Sequence, residues 1–162
     1  MSRWKVLPWE KTREVRDACL CLHVQRAGRA LARYFDELFR PLDLTNGQFS
    51  LLMSLHRPEA PVMGDVAELL AMDRTTLTAA LKPLERRGLV TIASDEGDRR
   101  KRRLRLTDEG RALLAEAWPV WRKGHRVLEG TLAEPDRLRA DLRRLGERRK
   151  PAADIDEAAS DP

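Results

Sequence analysis

A chain of 162 residues holds one domain, or one domain with dimerisation arms, and at 42% hydrophobic and 35% charged it is globular but charge-rich. The formal charge is +5, yet residues 151–162 contain Asp154, Asp156, Glu157 and Asp161 and no Lys or Arg, so residues 1–150 carry +9 and point to a polyanionic partner, with acidic small molecules or a membrane surface as other readings. No apolar run approaches a membrane span, no signal-peptide core opens the chain, and two cysteines, Cys19 and Cys21, make no disulfide framework, so a cytoplasmic protein without membrane contact is expected.

From Glu10 to Phe39 the apolar residues Val15, Ala18, Cys19, Leu22, Ala27 or Gly28, Leu31, Tyr34, Phe35 and Leu38 recur at threes and fours, which predicts one long helix closed by Pro41. Thr45 and Gln48 have capping-box spacing and open a helix that buries Phe49, Leu52, Met53 and Leu55 and stops before Pro58 and Pro61. Gly64 to Leu70 predicts a short helix through Val66, Leu69 and Leu70. Asp73 caps a helix from Arg74 to Arg87 that ends at Gly88. Gly88 to Ile92 reads as a strand, Ser94 to Gly97 as a turn, and Arg103-Leu104-Arg105-Leu106 as a returning strand half-buried through its leucines. Thr107 caps a helix from Asp108 to about Gly130, interrupted or kinked at Pro119. Glu134-Pro135 opens a last helix to about Lys150, and the tail beyond it is expected to be disordered.

Two short helices joined by a tight turn and followed by a hairpin make a winged helix-turn-helix. The expected fold is mainly α with a small β-hairpin: a winged helix-turn-helix domain plus long helices forming a homodimer interface. Those helices have too little chain of their own to bury their stripes, and a second copy is the simplest cover. The expected division is 1–40 for an N-terminal arm and first dimerisation helix, 41–107 for the winged domain, 108–150 for C-terminal dimerisation helices and 151–162 for an acidic tail. Trp4 and Trp9 lie in the arm, placed to cover the partner chain.

The densest positive charge runs from Arg99 to Arg105, on a hairpin directly after a helix, which suits gripping a nucleic-acid backbone. In the helix from Arg74, Leu77, Leu81 and Leu84 share one face. Thr75, Ala79, Lys82 and Arg86 fall opposite, with Thr76 and Thr78 on the flanks. Short hydroxyl and methyl side chains suit close approach to base edges in a major groove, and Arg74 and Lys82 reach a base or a phosphate. Pro83 leaves the Ala79 carbonyl without its helical partner. The plain alternatives are a solvated charge run and an ordinary solvated helix face.

Leu44-Thr45 with Gln48-Phe49, Val66-Ala67-Glu68-Leu69-Leu70, Asp73-Arg74-Thr75-Thr76, Leu84-Glu85-Arg86-Arg87-Gly88-Leu89-Val90, and Asp98-Arg99-Arg100 with Leu106-Thr107 and Gly110 form an ordered set. Across roughly residues 10–150 that set resembles the MarR family of bacterial dimeric transcription factors. The resemblance implies a homodimer whose two winged lobes read a palindromic operator in double-stranded DNA, most simply as a repressor. It implies that Arg100 enters the minor groove and that Asp98 orients it, since the two match the family's Asp-x-Arg pattern. Arg99, Lys101, Arg102 and Arg103 are then assigned to phosphates.

The resemblance also frames what is sensed. It implies a pocket for aromatic or phenolic anions between the dimer helices and the winged lobe, with His23, Trp118, Trp121, Arg122 and His125 as candidate lining residues. Trp118, Trp121 and His125 follow helical spacing, so core packing competes with that reading. Cys21 stands at the same distance before Leu44-Thr45 as the reactive cysteine of the organic-hydroperoxide-sensing branch, but Gln25 and Phe35 replace its two tyrosines. Redox sensing through Cys21 or Cys19 therefore competes with inert thiols. The two cysteines stand about 200° apart on one helix. Cys19 and His23, at i, i+4, offer two ligands to a soft metal, and two ligands are not a site, so no metal and no cofactor is expected. No phosphate loop, nucleophile motif or supported acid–base pair is present, which argues against an enzyme. The rival class is a structural nucleic-acid-binding protein without sequence preference.

Overall fold

The computed structural model describes residues 6–95 and 97–147. Trp4, the acidic tail and the expected continuation of the last helix to about Lys150 lie outside the described residues. The elements run α1 (Trp9–Ala18), α2 (Leu20–Phe39), a 3-10 turn (Arg40–Leu42), α3 (Asn46–Leu55), α4 (Met63–Leu69), α5 (Arg74–Arg86), β1 (Val90–Ser94), β2 (Arg102–Leu106), α6 (Asp108–Glu129) and α7 (Pro135–Glu147). Two compact units divide within α6, the first ending at Arg122 and the second beginning at Lys123.

In the first unit the predicted leucine faces of α3, α5 and β2 make the core, whereas Met53 and Leu69, also expected to be buried, are exposed. Leu52, Leu77, Leu81, Leu84 and Leu104 have no exposed surface, and Phe39 and Val66 join them. The hairpin is antiparallel, pairing Val90 with Leu106 and Ile92 with Leu104, so period-two alternation turns Leu104 and Leu106 inward and Arg105 outward. A strap before α4 extends the hairpin edge: Leu104 N–H donates to the Pro61 carbonyl at 3.0 Å, and Val62 bridges to Arg103. Polar side chains close the helix ends as their spacing requires. Thr45 Oγ1 accepts the Gln48 amide at 3.2 Å, while Gln48 Oε1 accepts the Thr45 amide at 3.0 Å. Thr107 Oγ1 accepts the Gly110 amide at 3.0 Å and donates to the Gly88 carbonyl at 2.7 Å, tying the start of α6 to the start of the hairpin.

An aromatic row spans the same unit. Phe35 and Phe39 of α2 lie 5.9 Å apart, Phe39 and Phe49 of α3 4.8 Å, Phe49 and Trp121 of α6 6.3 Å, and Trp121 and Trp118 5.1 Å. In the second unit Glu129 accepts from Arg139 at 2.6 Å, and Arg139 also meets Asp136 at 2.6 Å. The apolar residues of α7, Leu138, Leu142 and Leu145, remain exposed.

Three expectations about the bounds of the elements need correction. The helix expected from Glu10 to Phe39 is two helices, broken at Cys19 (φ −73°, ψ 106°). The Cys19 amide closes α1 on the Val15 carbonyl at 2.9 Å, and its Sγ accepts the Leu22 amide at 3.4 Å as the N-cap of α2. No proline or glycine marks this break, and the apolar spacing continues through it. Cys19 is thus outside both helices, and the wheel angle between the cysteines does not apply. Second, α6 is not interrupted at Pro119. The carbonyl four residues back, which loses its donor, belongs to exposed Ala115, and that of Pro83 belongs to exposed Ala79, so water can serve both. Third, the first strand lies two residues later than expected, at Val90–Ser94, while the returning strand, Arg102–Leu106, starts one residue earlier and ends where expected.

Gly110 sits where α6 crosses the hairpin. A Cβ there would collide with the Leu89 carbonyl oxygen and stand 3.1 Å from the carbonyl carbon and 3.3 Å from Leu106 Cδ2. Gly110→Ala is expected to destabilise the winged unit by about 1–3 kcal/mol through overpacking against backbone, read as a lower urea midpoint.

Candidate nucleic-acid interface

The three leucines of α5 are fully buried, and that burial decides what α5 shows to solvent. Thr75, Ala79, Lys82 and Arg86 are exposed, as are Arg74, Thr76 and Thr78 on the flanks. The hydroxyls differ in freedom. Thr76 Oγ1 donates to Asp73 Oδ2 at 2.6 Å, and Thr78 Oγ1 donates to the Arg74 carbonyl at 2.7 Å. Both keep acceptor lone pairs for an outside donor, but their protons are spent inside the helix. Asp73 Oδ1 accepts the Thr76 amide at 2.8 Å, and these Thr76 bonds hold the Asp73 carboxyl below its ordinary range. The turn entering α5 passes through Ala71 in the left-handed region (φ 51°).

The hairpin tip is organised by an acid within the expected Ser94-to-Gly97 turn. Asp95 is buried; its Oδ1 accepts the Gly97 and Asp98 amides, each at 2.9 Å, and its Oδ2 pairs with Arg103 Nε. The Arg103 guanidinium beside it, followed by the Asp98 amide, keeps the Asp95 carboxyl below its ordinary range. Arg103 also donates to the Ala60 carbonyl at 2.7 Å. Two of its five N–H donors are thus engaged within the fold while its side chain stays 38% exposed, so a tie inside the lobe competes with its expected place on a phosphate. The Ser94-to-Gly97 turn signal, an aspartate two residues before glycine, was the cue that could have found Asp95.

Asp98 acts on the backbone of Arg100 rather than on its guanidinium, since Asp98 Oδ1 accepts the Arg100 amide at 3.0 Å. Its Oδ2 lies 4.0 Å from Lys101 Nζ. Arg99, Arg100, Lys101 and Arg102 are exposed, and Arg102 donates to Ser94 Oγ at 3.1 Å. Exposed guanidinium and ammonium groups on a narrow hairpin can pair with phosphates or enter a narrow groove of negative potential.

The candidate ligand residues do not all meet. Trp118 and Trp121 stack and, with Phe49, Met53, Leu69 and Leu70, wall a cleft of about 360 Å³ whose polar members are Ser50 and Ser54. Arg122 is exposed and outside that cleft. His23 turns to the Asp17 carbonyl at 3.2 Å, at the α1–α2 break. His125 belongs to the second unit, 3.6 Å from Glu129. Cys21 is exposed and Cys19 partly buried. Among the described residues no three His, Cys, Asp or Glu side chains gather as a metal site. No described helix is long and apolar enough to cross a membrane.

The MarR family pattern matches residues 44–101, from the lead into α3 to the hairpin tip. The M. tuberculosis transcriptional regulator MosR, solved in complex with DNA, is 35% identical with a TM-score of 0.74, and the match covers 85% of this chain and 97% of that one. The chain belongs to the MarR family. A second MarR-type neighbour in structure is BpsR of Bordetella bronchiseptica, whose DNA binding is regulated by 6-hydroxynicotinic acid; it is 27% identical, with a TM-score of 0.71, over 82% of this chain and 96% of that one. The HTH-type transcriptional regulator TtmR of Methylorubrum extorquens (strain PA1) is 36% identical over 97 residues, 60% of this chain. The MarR chain described here spans 50% of the length of that curated relative.

The cap of α5 carries a pH signature. Because the folded Asp73 carboxyl lies below its ordinary value, its stabilisation is complete above that value and is lost as pH falls through the folded one. Asp73→Ala is expected to lower the urea midpoint equally at about pH 8 and about pH 5, with the gap to the parent closing only below about pH 3.9.

Proposed function

We propose that this chain is a sequence-specific, DNA-binding transcriptional regulator: a repressor that grips a palindromic operator as a homodimer and leaves it when a small aromatic ligand binds. The observation that carries this reading is that one lobe presents two complementary readers. One is the solvent face of α5, with Thr75, Ala79 and Lys82 open; the other is a hairpin tip with four exposed cations, Arg99 to Arg102. Small side chains between cations let a helix approach base edges in a major groove, while the tip arginines suit the adjacent minor groove and phosphates. Arg74, Thr76, Thr78 and Asp98 support the contacts from the edges. MosR bound to DNA supports the same use of the fold.

A second copy suits the apolar side chains left open on the outer helices. Trp9, Val15, Leu20, Val24 and Leu31 on α1 and α2, and the three leucines of α7, are each more than two-fifths exposed. Two-fold symmetry of the protein then sets two-fold symmetry of the operator. Arg100→Ala is expected to weaken binding to a selected inverted repeat by about 1–3 kcal/mol, with dimer and fold intact, in a fluorescence titration at fixed salt. Unchanged affinity would remove Arg100 from the minor groove. Steep salt dependence with no preferred sequence would favour the structural nucleic-acid binder instead.

For the effector, the cleft beside Trp118 and Trp121 supports a flat aromatic body, because its walls are stacked rings, aliphatic side chains and two serines. Such a ligand releases DNA only by binding the DNA-incompetent arrangement more tightly. The exposure of Cys21 at the α1–α2 break favours a second reading, oxidative control through that thiol. Gel shifts on the parent and Cys21→Ser separate the two. Aromatic acids are expected to release both proteins alike; release by peroxide alone, lost in Cys21→Ser, would make the thiol the sensor.

A further inference from the structure

Arg103 holds three parts of the winged lobe at once. Its backbone pairs with Ala93 across the hairpin and bridges to Val62 of the strap. Its Nε meets Asp95 at the root of the tip, and its other arm donates to the Ala60 carbonyl at 2.7 Å. Asp95 in turn carries the Gly97 and Asp98 amides, and Asp98 carries the Arg100 amide at 3.0 Å. An unbroken chain of bonds therefore leads from the strap to the exposed arginines.

A two-stranded hairpin alone does not hold a fixed direction in water. Leu104 and Leu106 anchor its base in the core, but Asp95 and residues 97–101 lie past that anchor. The strap runs directly into α4, and α4 packs on α5. We propose that the Asp95–Arg103–Ala60 clamp is a positioning device that sets the reach of the tip cations relative to α5, so that helix and tip meet neighbouring grooves of one duplex together. Arg103 is then a positioning residue and touches no DNA. The inference rests on the DNA-reading function proposed above.

The clamp predicts a separable loss. Asp95→Asn keeps an oxygen for the Gly97 and Asp98 amides but removes the charge facing Arg103, so it loosens the clamp while sparing the turn. The experiment uses the full-length protein on the inverted repeat that the parent selects from a random duplex pool. Hydroxyl-radical footprinting reads the minor groove under the tip, and dimethyl sulfate reads guanine N7 in the major groove under α5. Asp95→Asn is expected to bind roughly tenfold more weakly, lose the minor-groove protection and keep the major-groove protection. Arg103→Lys, which keeps the charge but reaches only one of the two partners, is expected to fall between Asp95→Asn and the parent. A salt-bridge role confined to folding would reduce both protections together, in step with a lower urea midpoint, and would overturn the proposal. Full tip protection in Asp95→Asn would overturn it equally. A parent protein that selects no repeat would fail the DNA-reading function itself, which is a different result.

Discussion

The winged lobe depends on the burial of one helix face. Leu77, Leu81 and Leu84 recur at four and three residues and have no exposed surface, so α5 cannot rotate without bringing leucine into water. Exposing one such side chain costs about 1.5–3 kcal/mol. Rotating the helix would expose all three at once, against a total stability of only about 5–15 kcal/mol. The exposure of Thr75, Ala79 and Lys82 is therefore not an independent feature. It is the other side of the same packing, set by a helical period of 3.6. The hairpin obeys a similar rule with period two: Leu104 and Leu106 go in, and Arg105 goes out.

Within that frame the basic run splits into charges the fold uses and charges it leaves open. Arg103 is held by Asp95 and Ala60, and Arg111 by Asp108 and the Leu106 carbonyl. Arg99, Arg100 and Lys101 stand on backbone organised by Asp95 and Asp98. A run of like charges repels itself, and two carboxylates placed inside the turn offset that repulsion locally while leaving the tip net positive. The tip can thus be both ordered and strongly cationic.

The aromatic row has a comparable double use. Phe39 and Phe49 are buried and pack α2 against α3, whereas Trp118 at the row's end is 44% exposed and walls an open cleft. A ring that packs on one face and is wet on the other can stabilise the lobe and still offer a stacking surface. Helices α1 and α7, by contrast, bury none of their described residues, and their apolar side chains stay open.

Local chemistry made much of this legible in the sequence. Thr45 with Gln48, Asp73 before Arg74, Gly88 after the helix (φ 70°) and Thr107 before Asp108 all sit where their caps form, because a cap depends on residues within four positions. The leucine periods set which faces of α5 and β2 are buried for the same reason. The break at Cys19 was not legible: a thiol is a weak acceptor that rarely marks a helix start, and the apolar spacing runs on across it. Nor was the role of Arg103. In sequence it is the last of five consecutive basic residues, and nothing local distinguishes it from Arg102. Only the tertiary structure brings it to Asp95, eight residues back, and to Ala60, forty-three residues back, and so turns one charge of the run into a structural tie. Capping and periodicity are short-range and written in the order of residues; the partner of a long side chain is decided by which distant backbone the fold delivers to its reach.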